Sequence, residues 1–130
     1  ANWVSGEVLA LVNYLHEHYA ERGDTGNFKL LTYTSAALAI APLCKIGPVK
    51  TGSICKTKWT VLKWIYNAIE TYCGQSGFHW DHNHGGNIEG EAVQVVWNKY
   101  ISRKAHHTGI KPFHNNGWEF YEQIHNIFPS

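Results

Sequence analysis

Apolar residues recur at three- and four-residue intervals through much of this 130-residue chain. From Ser5 to about Arg22, Val8, Leu11, Val12, Leu15 and Tyr19 mark one face of an amphipathic helix. Ser5 is the expected N-cap, and Glu7 falls in the first turn, where a carboxylate suits the helix dipole. The run Arg22-Gly23-Asp24-Thr25-Gly26-Asn27 then breaks the pattern. An alanine-rich second helix is predicted over Tyr33 to Ile40, capped by Thr32 and limited by Pro42. A loop from Lys45 to Lys50 leads to a third helix, from near Thr51 to about Cys73, which Gly74 ends. Within it Cys55, Trp59, Leu62, Tyr66 and Ile69 share one face. Lys56, Thr57, Thr60 and Lys63 point elsewhere, so the apolar and basic stripes are separate.

The remainder of the chain reads differently. Gly77 to Asn87 is polar and turn-rich, with Phe78 and Trp80 as anchors, and predicts a small hairpin or an ordered loop. Ala92 to Lys104 predicts a fourth helix with Val93, Val96, Trp97, Tyr100 and Ile101 on its apolar side. His106 to Asn116 reads as a loop containing Pro112. Trp118 to Phe128 predicts a short last helix on Trp118, Tyr121, Ile124 and Phe128.

Charge changes the picture. Between Asp24 and Glu70 the chain has no acid and six lysines: Lys29, Lys45, Lys50, Lys56, Lys58 and Lys63. Residues 1–24, 25–69 and 70–130 carry −3, +6 and −2, so a net charge of +1 conceals a cationic centre. A lysine-bearing helix on a small helical domain is a common way to meet nucleic acid. Apolar content of 44% with six tryptophans supports a folded chain with one core. No stretch approaches the ~20 apolar residues of a membrane span, and the N-terminus shows no signal-peptide pattern. Methionine is missing even at position 1, which suggests a processed chain or a domain of something longer. Cys44, Cys55 and Cys73 are an odd set. Three reduced thiols are the expectation, with a single disulfide plus one thiol as the alternative.

Three short helices, each with a bulky aromatic, suggest a tri-helical DNA-binding domain. Trp3, Tyr33 and Trp59 stand at the start of helix one, the start of helix two and the middle of helix three. This resembles the tryptophan triad of the Myb/SANT fold. The segments Phe28-Lys29…Thr32-Tyr33, Cys55-Lys56-Thr57-Lys58-Trp59, Gln75-Ser76-Gly77-Phe78-His79-Trp80-Asp81, Val96-Trp97-Asn98-Lys99-Tyr100 and Lys111-Pro112-Phe113…Gly117-Trp118 are, in order, similar to the Myb/SANT-like domain family. That family occurs in fungal and plant proteins, many of them transposon-related, and the resemblance covers residues 2–128. It implies an all-α fold. A three-helix, helix-turn-helix-like core over 1–74 would carry a C-terminal extension, 75–130, of a polar loop and two helices packed onto it, with Trp80, Trp97 and Trp118 as buttresses. Two positions depart from the family: Tyr33 replaces a tryptophan, and Thr57 stands where Myb repeats place a base-reading asparagine. A threonine makes fewer directional base contacts than a bidentate amide.

The resemblance implies double-stranded DNA as partner, a nuclear location, and a role in a transcription regulator or a transposon-derived protein. Helix three would enter the major groove. Lys56, Thr57 and Thr60 are then the base-facing candidates, and Lys45, Lys50, Lys58 and Lys63 the phosphate contacts, which position the protein without reading sequence. One such helix makes few contacts, so a dimer or a protein partner is the expected supplement. Trp64 lies between the two faces of helix three, as a packing residue or an exposed contact. The alternative reading is a SANT-type protein-interaction module, with Glu89, Glu91, Glu119 and Glu122 holding a basic partner.

Nine histidines raise a metal hypothesis. His79, His82 and His84 with Asp81 place possible ligands in one turn, and a metal-activated water there would make a nuclease. No Cys-x-x-Cys or His-Glu-x-x-His spacing accompanies them, and in the family motif Asp81 is expected to be structural. A surface turn is the simpler reading. No phosphate loop or nucleophile elbow occurs, so neither an enzyme nor a cofactor is expected.

Overall fold

The computed structural model describes residues 2–19, 28–44, 48–74 and 80–128. They form five α-helices: α1 (Ser5–Glu17), α2 (Leu30–Ile40), α3 (Gly52–Cys73), α4 (Glu91–Arg103) and α5 (Tyr121–His125). Two 3-10 segments, Ala41–Leu43 and Ala105–Phe113, follow α2 and α4. Among the described residues there is no strand, only an isolated bridge between Asp81 and Gly85, so the fold is all-α. No helix among them is long and apolar enough to cross a membrane.

The chain packs as two compact units, Ala1–Val61 with Glu122–Ser130, and Leu62–Tyr121. The division falls inside the 22-residue helix α3.

In the first unit, α1 starts at Ser5, with Val4 and not Ser5 in the N-cap position. The Glu7 carboxylate reaches back to accept the Val4 N–H at 3.2 Å, the returning half of a capping box. The regular helix stops at Glu17, and the expected continuation through Ala20 to Arg22 lies outside the described residues. α2 begins three residues before Tyr33, so Thr32 is an interior, buried residue and not a cap. α3 begins where its sequence signals say: Thr51 Oγ1 accepts the Ile54 N–H at 3.3 Å. Its first residue, Gly52, is buried against α2, where an added Cβ would run into Thr34 Oγ1 and lie 2.9 Å from the Thr34 backbone nitrogen. The core contains Leu11, Leu15, Tyr33, Ile40 and Trp59, each almost fully buried. Trp59 stacks on Phe128 at 5.8 Å and meets Phe28 edge-on at 6.2 Å.

The second unit is built on Tyr72, which meets Trp97 and Tyr100 edge-on at 5.5 and 5.4 Å. Ile69, Ile110 and Phe113 complete that core, with Trp80 and Trp118 packed at its margin. Within the expected loop from His106 to Asn116, a 3-10 segment runs over Ala105–Phe113 and is tied down by His107. Its ring stacks on Tyr100 at 4.1 Å and its Nδ1 bonds the Tyr100 carbonyl at 2.8 Å. The apolar face predicted for α4 holds only in part. Trp97 and Tyr100 are buried, whereas Val93 and Val96 stand exposed beside Val95. The last helix is shorter than the predicted Trp118 to Phe128.

Candidate functional site

α3 turns by about 100° per residue, which sorts the first half of the helix into two arcs. Gly52, Cys55 and Trp59 are buried, while Ser53, Lys56, Thr57, Thr60 and Val61 are exposed. Both threonine hydroxyls are engaged by the helix itself: Thr57 Oγ1 donates to the Ser53 carbonyl at 3.1 Å and Thr60 Oγ1 to the Lys56 carbonyl at 3.0 Å. Lys58 is half-buried, with its Nζ 6.0 Å from the centre of the Trp3 ring. Burial lowers the pKa of its ammonium. Trp3, Ser53, Ile54, Thr57, Lys58 and Val61 line a shallow concavity of about 350 Å³. Of the aromatic triad, Tyr33 and Trp59 are core residues, but Trp3 is half-buried at the rim of this concavity.

Lys50 departs from its expected role. Its side chain, like that of Glu7, is 2% exposed, and the two are joined at 2.7 Å. Burial pushes the Glu7 carboxyl up, but the hydrogen bonds from Lys50 and Val4 and the Lys50 charge outweigh it, and the pKa is held below the usual value. The Glu7 hydrogen bond, working against burial, holds the Lys50 ammonium above its usual value. Cys44 Sγ lies 3.8 Å from the same Nζ. An ammonium enclosed in this way is not presented to a phosphate. The sequence did carry a signal for it: Glu7 lies four residues before Leu11 and eight before Leu15, on the apolar stripe of α1, where a carboxylate needs a partner.

Other candidates fall elsewhere. Lys45 and His79 lie outside the described residues. Lys63 is half-buried and belongs to the second unit, as does Trp64, which is 47% exposed. His84 Nδ1 is 2.8 Å from Asp81 Oδ2, Asp81 Oδ1 accepts the Asn83 N–H, and the His82 ring lies against Tyr121 at 5.3 Å. Asp81 thus organises the turn. Among the described residues no group of three or more His, Cys, Asp or Glu side chains is placed to hold a metal. No disulfide joins Cys44, Cys55 or Cys73.

No protein-family model, curated protein or solved structure matches this chain.

Proposed function

We propose that this chain is a DNA-binding module of the three-helix Myb/SANT kind, part of a transcription regulator or a transposon-derived protein, working in the nucleus on double-stranded DNA. The observation that carries the reading is the exposed Lys56-Thr57-Thr60 face of α3, in a stretch free of acids from Asp24 to Glu70. An α-helix fits the major groove, and a cationic one is drawn there by counterion release. In this proposal Thr57 and Thr60 face base edges, Lys56 lies at the margin of that strip, and Lys58 meets phosphate. Lys63 is a phosphate candidate of the second unit. Lys50 has no part, being bound to Glu7. No catalytic step and no cofactor enter the proposal.

The test is binding to a random duplex pool at two salt concentrations, for the native chain and for Lys56→Gln/Lys58→Gln. Each phosphate contact contributes about 0.9 to the slope of log K against log salt, so the variant, which loses the Lys58 contact, should flatten that slope by roughly 1. No binding at low salt, or an unchanged slope in the variant, refutes the proposal.

One observation favours a second reading, a protein-contact module. Val93, Val95 and Val96 of α4 are 45%, 46% and 48% exposed, and Glu89 and Glu91 beside them suit a basic partner.

A further inference from the structure

We propose that the exposed face of α3 selects thymine, by its methyl group, in A·T base pairs. The inference rests on the DNA-binding reading above and specifies what that face recognises. Its starting point is how the two base-facing threonines are hydrogen-bonded. A hydroxyl has one donor and two acceptor lone pairs. At Thr57 and Thr60 the donor is spent on the carbonyls of Ser53 and Lys56. Each side chain then offers outward a methyl group and an accepting oxygen.

That pair of features matches one kind of base pair. In the major groove a G·C pair presents the guanine acceptors N7 and O6 and the cytosine N4 donor, but no methyl group. An A·T pair presents the thymine C5-methyl and the adenine N6 donor. The first packs on a threonine methyl, and the second donates to a threonine oxygen. The surroundings agree. Around the helix axis, at about 100° per residue, the order runs Lys56, Thr60, Thr57, Val61, Lys58. The two threonines and Val61 form an apolar strip with a lysine at either margin. Val61 is 42% exposed, and the Trp3 ring flanks the same concavity. Cations at the margins suit a groove whose walls are phosphate, and the apolar strip between them suits a floor bearing methyl groups. A base-reading amide at position 57 would recognise adenine by its own donor and acceptor. Threonine shifts the recognition to the partner base.

The test removes the methyl from the DNA and from the protein separately. Affinities are measured by fluorescence anisotropy on three duplexes of about 20 base pairs: alternating A–T, the same with uracil replacing thymine, and alternating G–C. The proteins are the native chain and Thr57→Ser/Thr60→Ser, which keeps both hydroxyls and deletes both methyls. Burying one methyl is worth roughly a fourfold change in affinity. The native chain should therefore bind the uracil duplex about four- to fifteenfold more weakly than the thymine duplex, and the G–C duplex more weakly than the thymine one. The serine variant should lose most of that thymine preference, keeping only what Val61 contributes. Equal affinity of the native chain for those two duplexes, or a preference for G–C, overturns the thymine inference while DNA binding stands. A serine variant that favours thymine as strongly as the native chain overturns the assignment to Thr57 and Thr60. Binding to none of the three at low salt overturns the DNA-binding reading itself.

Discussion

Replacing Lys50 with methionine should cost the fold much and the proposed DNA binding nothing. The ammonium and the Glu7 carboxylate are 2.7 Å apart with 2% of each side chain exposed. At an effective dielectric constant near 20 their bare attraction is of order 6 kcal/mol, against several kcal/mol of hydration lost by each ion. The net worth of the pair is therefore small. The cost of breaking it is not, because Lys50→Met fills the same space but leaves the Glu7 charge enclosed. That cost is about 3–5 kcal/mol, a large share of a small domain's stability. Glu7→Gln/Lys50→Met removes both charges, and its glutamine can still accept the Val4 N–H. It should recover most of the loss. Urea denaturation followed by far-UV circular dichroism measures all three proteins. A loss below about 1 kcal/mol in Lys50→Met would sink the argument, since that is the range of an exposed pair. In the same protein, below its melting temperature, the salt slope of DNA binding should match that of the native chain.

The pair also fixes a pH dependence. In the folded chain the Glu7 pKa is held below its ordinary 4.5. A depressed carboxyl stabilises above its unfolded pKa, and that stability is lost as pH falls through the folded value. In Lys50→Met the burial of Glu7 acts unopposed by the ammonium. Its pKa should rise above the unfolded value, so acid relieves the enclosed charge. The stability gap between the native chain and the variant should narrow as pH falls from 7 toward about 4.5. A gap that widens would reverse the sign of the reasoning.

Two further outcomes test other parts of the structure. Gly85 has φ +62°, and an added Cβ would run into the carbonyls of Phe113 and Asn116. Gly85→Ala should thus lose at least about 2 kcal/mol in thermal melting, and an unchanged melting temperature would count against the packed turn. The buried Cys55 thiol is pushed up to about 11 by burial, against the Lys50 charge. It should resist a disulfide reagent at pH 8 until urea is added, and rapid labelling in the folded chain would contradict its burial.

How much was legible in the sequence varied with how local the cause was. The bounds of α3 could be read because the Thr51 cap, the Gly74 stop and a clean apolar stripe all lie within the segment. α2 starts earlier than predicted because its first residues, Leu30 and Leu31, are exposed and add nothing to the apolar period. The 3-10 segment over 105–113 was missed for the opposite reason. It contains Pro112 and no helical repeat, and is held by tertiary contacts of His107, Ile110 and Phe113. α4 showed how period alone misleads, since Val93 and Val96 keep the helical spacing of Trp97 and Tyr100 yet face solvent. The division inside α3 had no sequence mark at all, because an amphipathic stripe says which face is buried and not by what.

Lys50 carries the same lesson into the candidate site. A charge count along the chain treats every lysine as a surface charge, the central +6 included. Position 50 is 43 residues from the carboxylate that neutralises it, so the local pattern that shows Glu7 to need a partner does not show which lysine supplies it. Once the pair is formed, one negative charge leaves the account of the N-terminal segment and one positive charge leaves that of the centre. The field outside the molecule then comes from fewer lysines, and on α3 these are Lys56 and Lys58 at the margins of the threonine strip and the half-buried Lys63. A uniformly basic surface attracts any duplex. Two cations bracketing an apolar strip limit what can lie between them, and in the proposed DNA-binding role selectivity at this face would depend on that arrangement more than on the total charge.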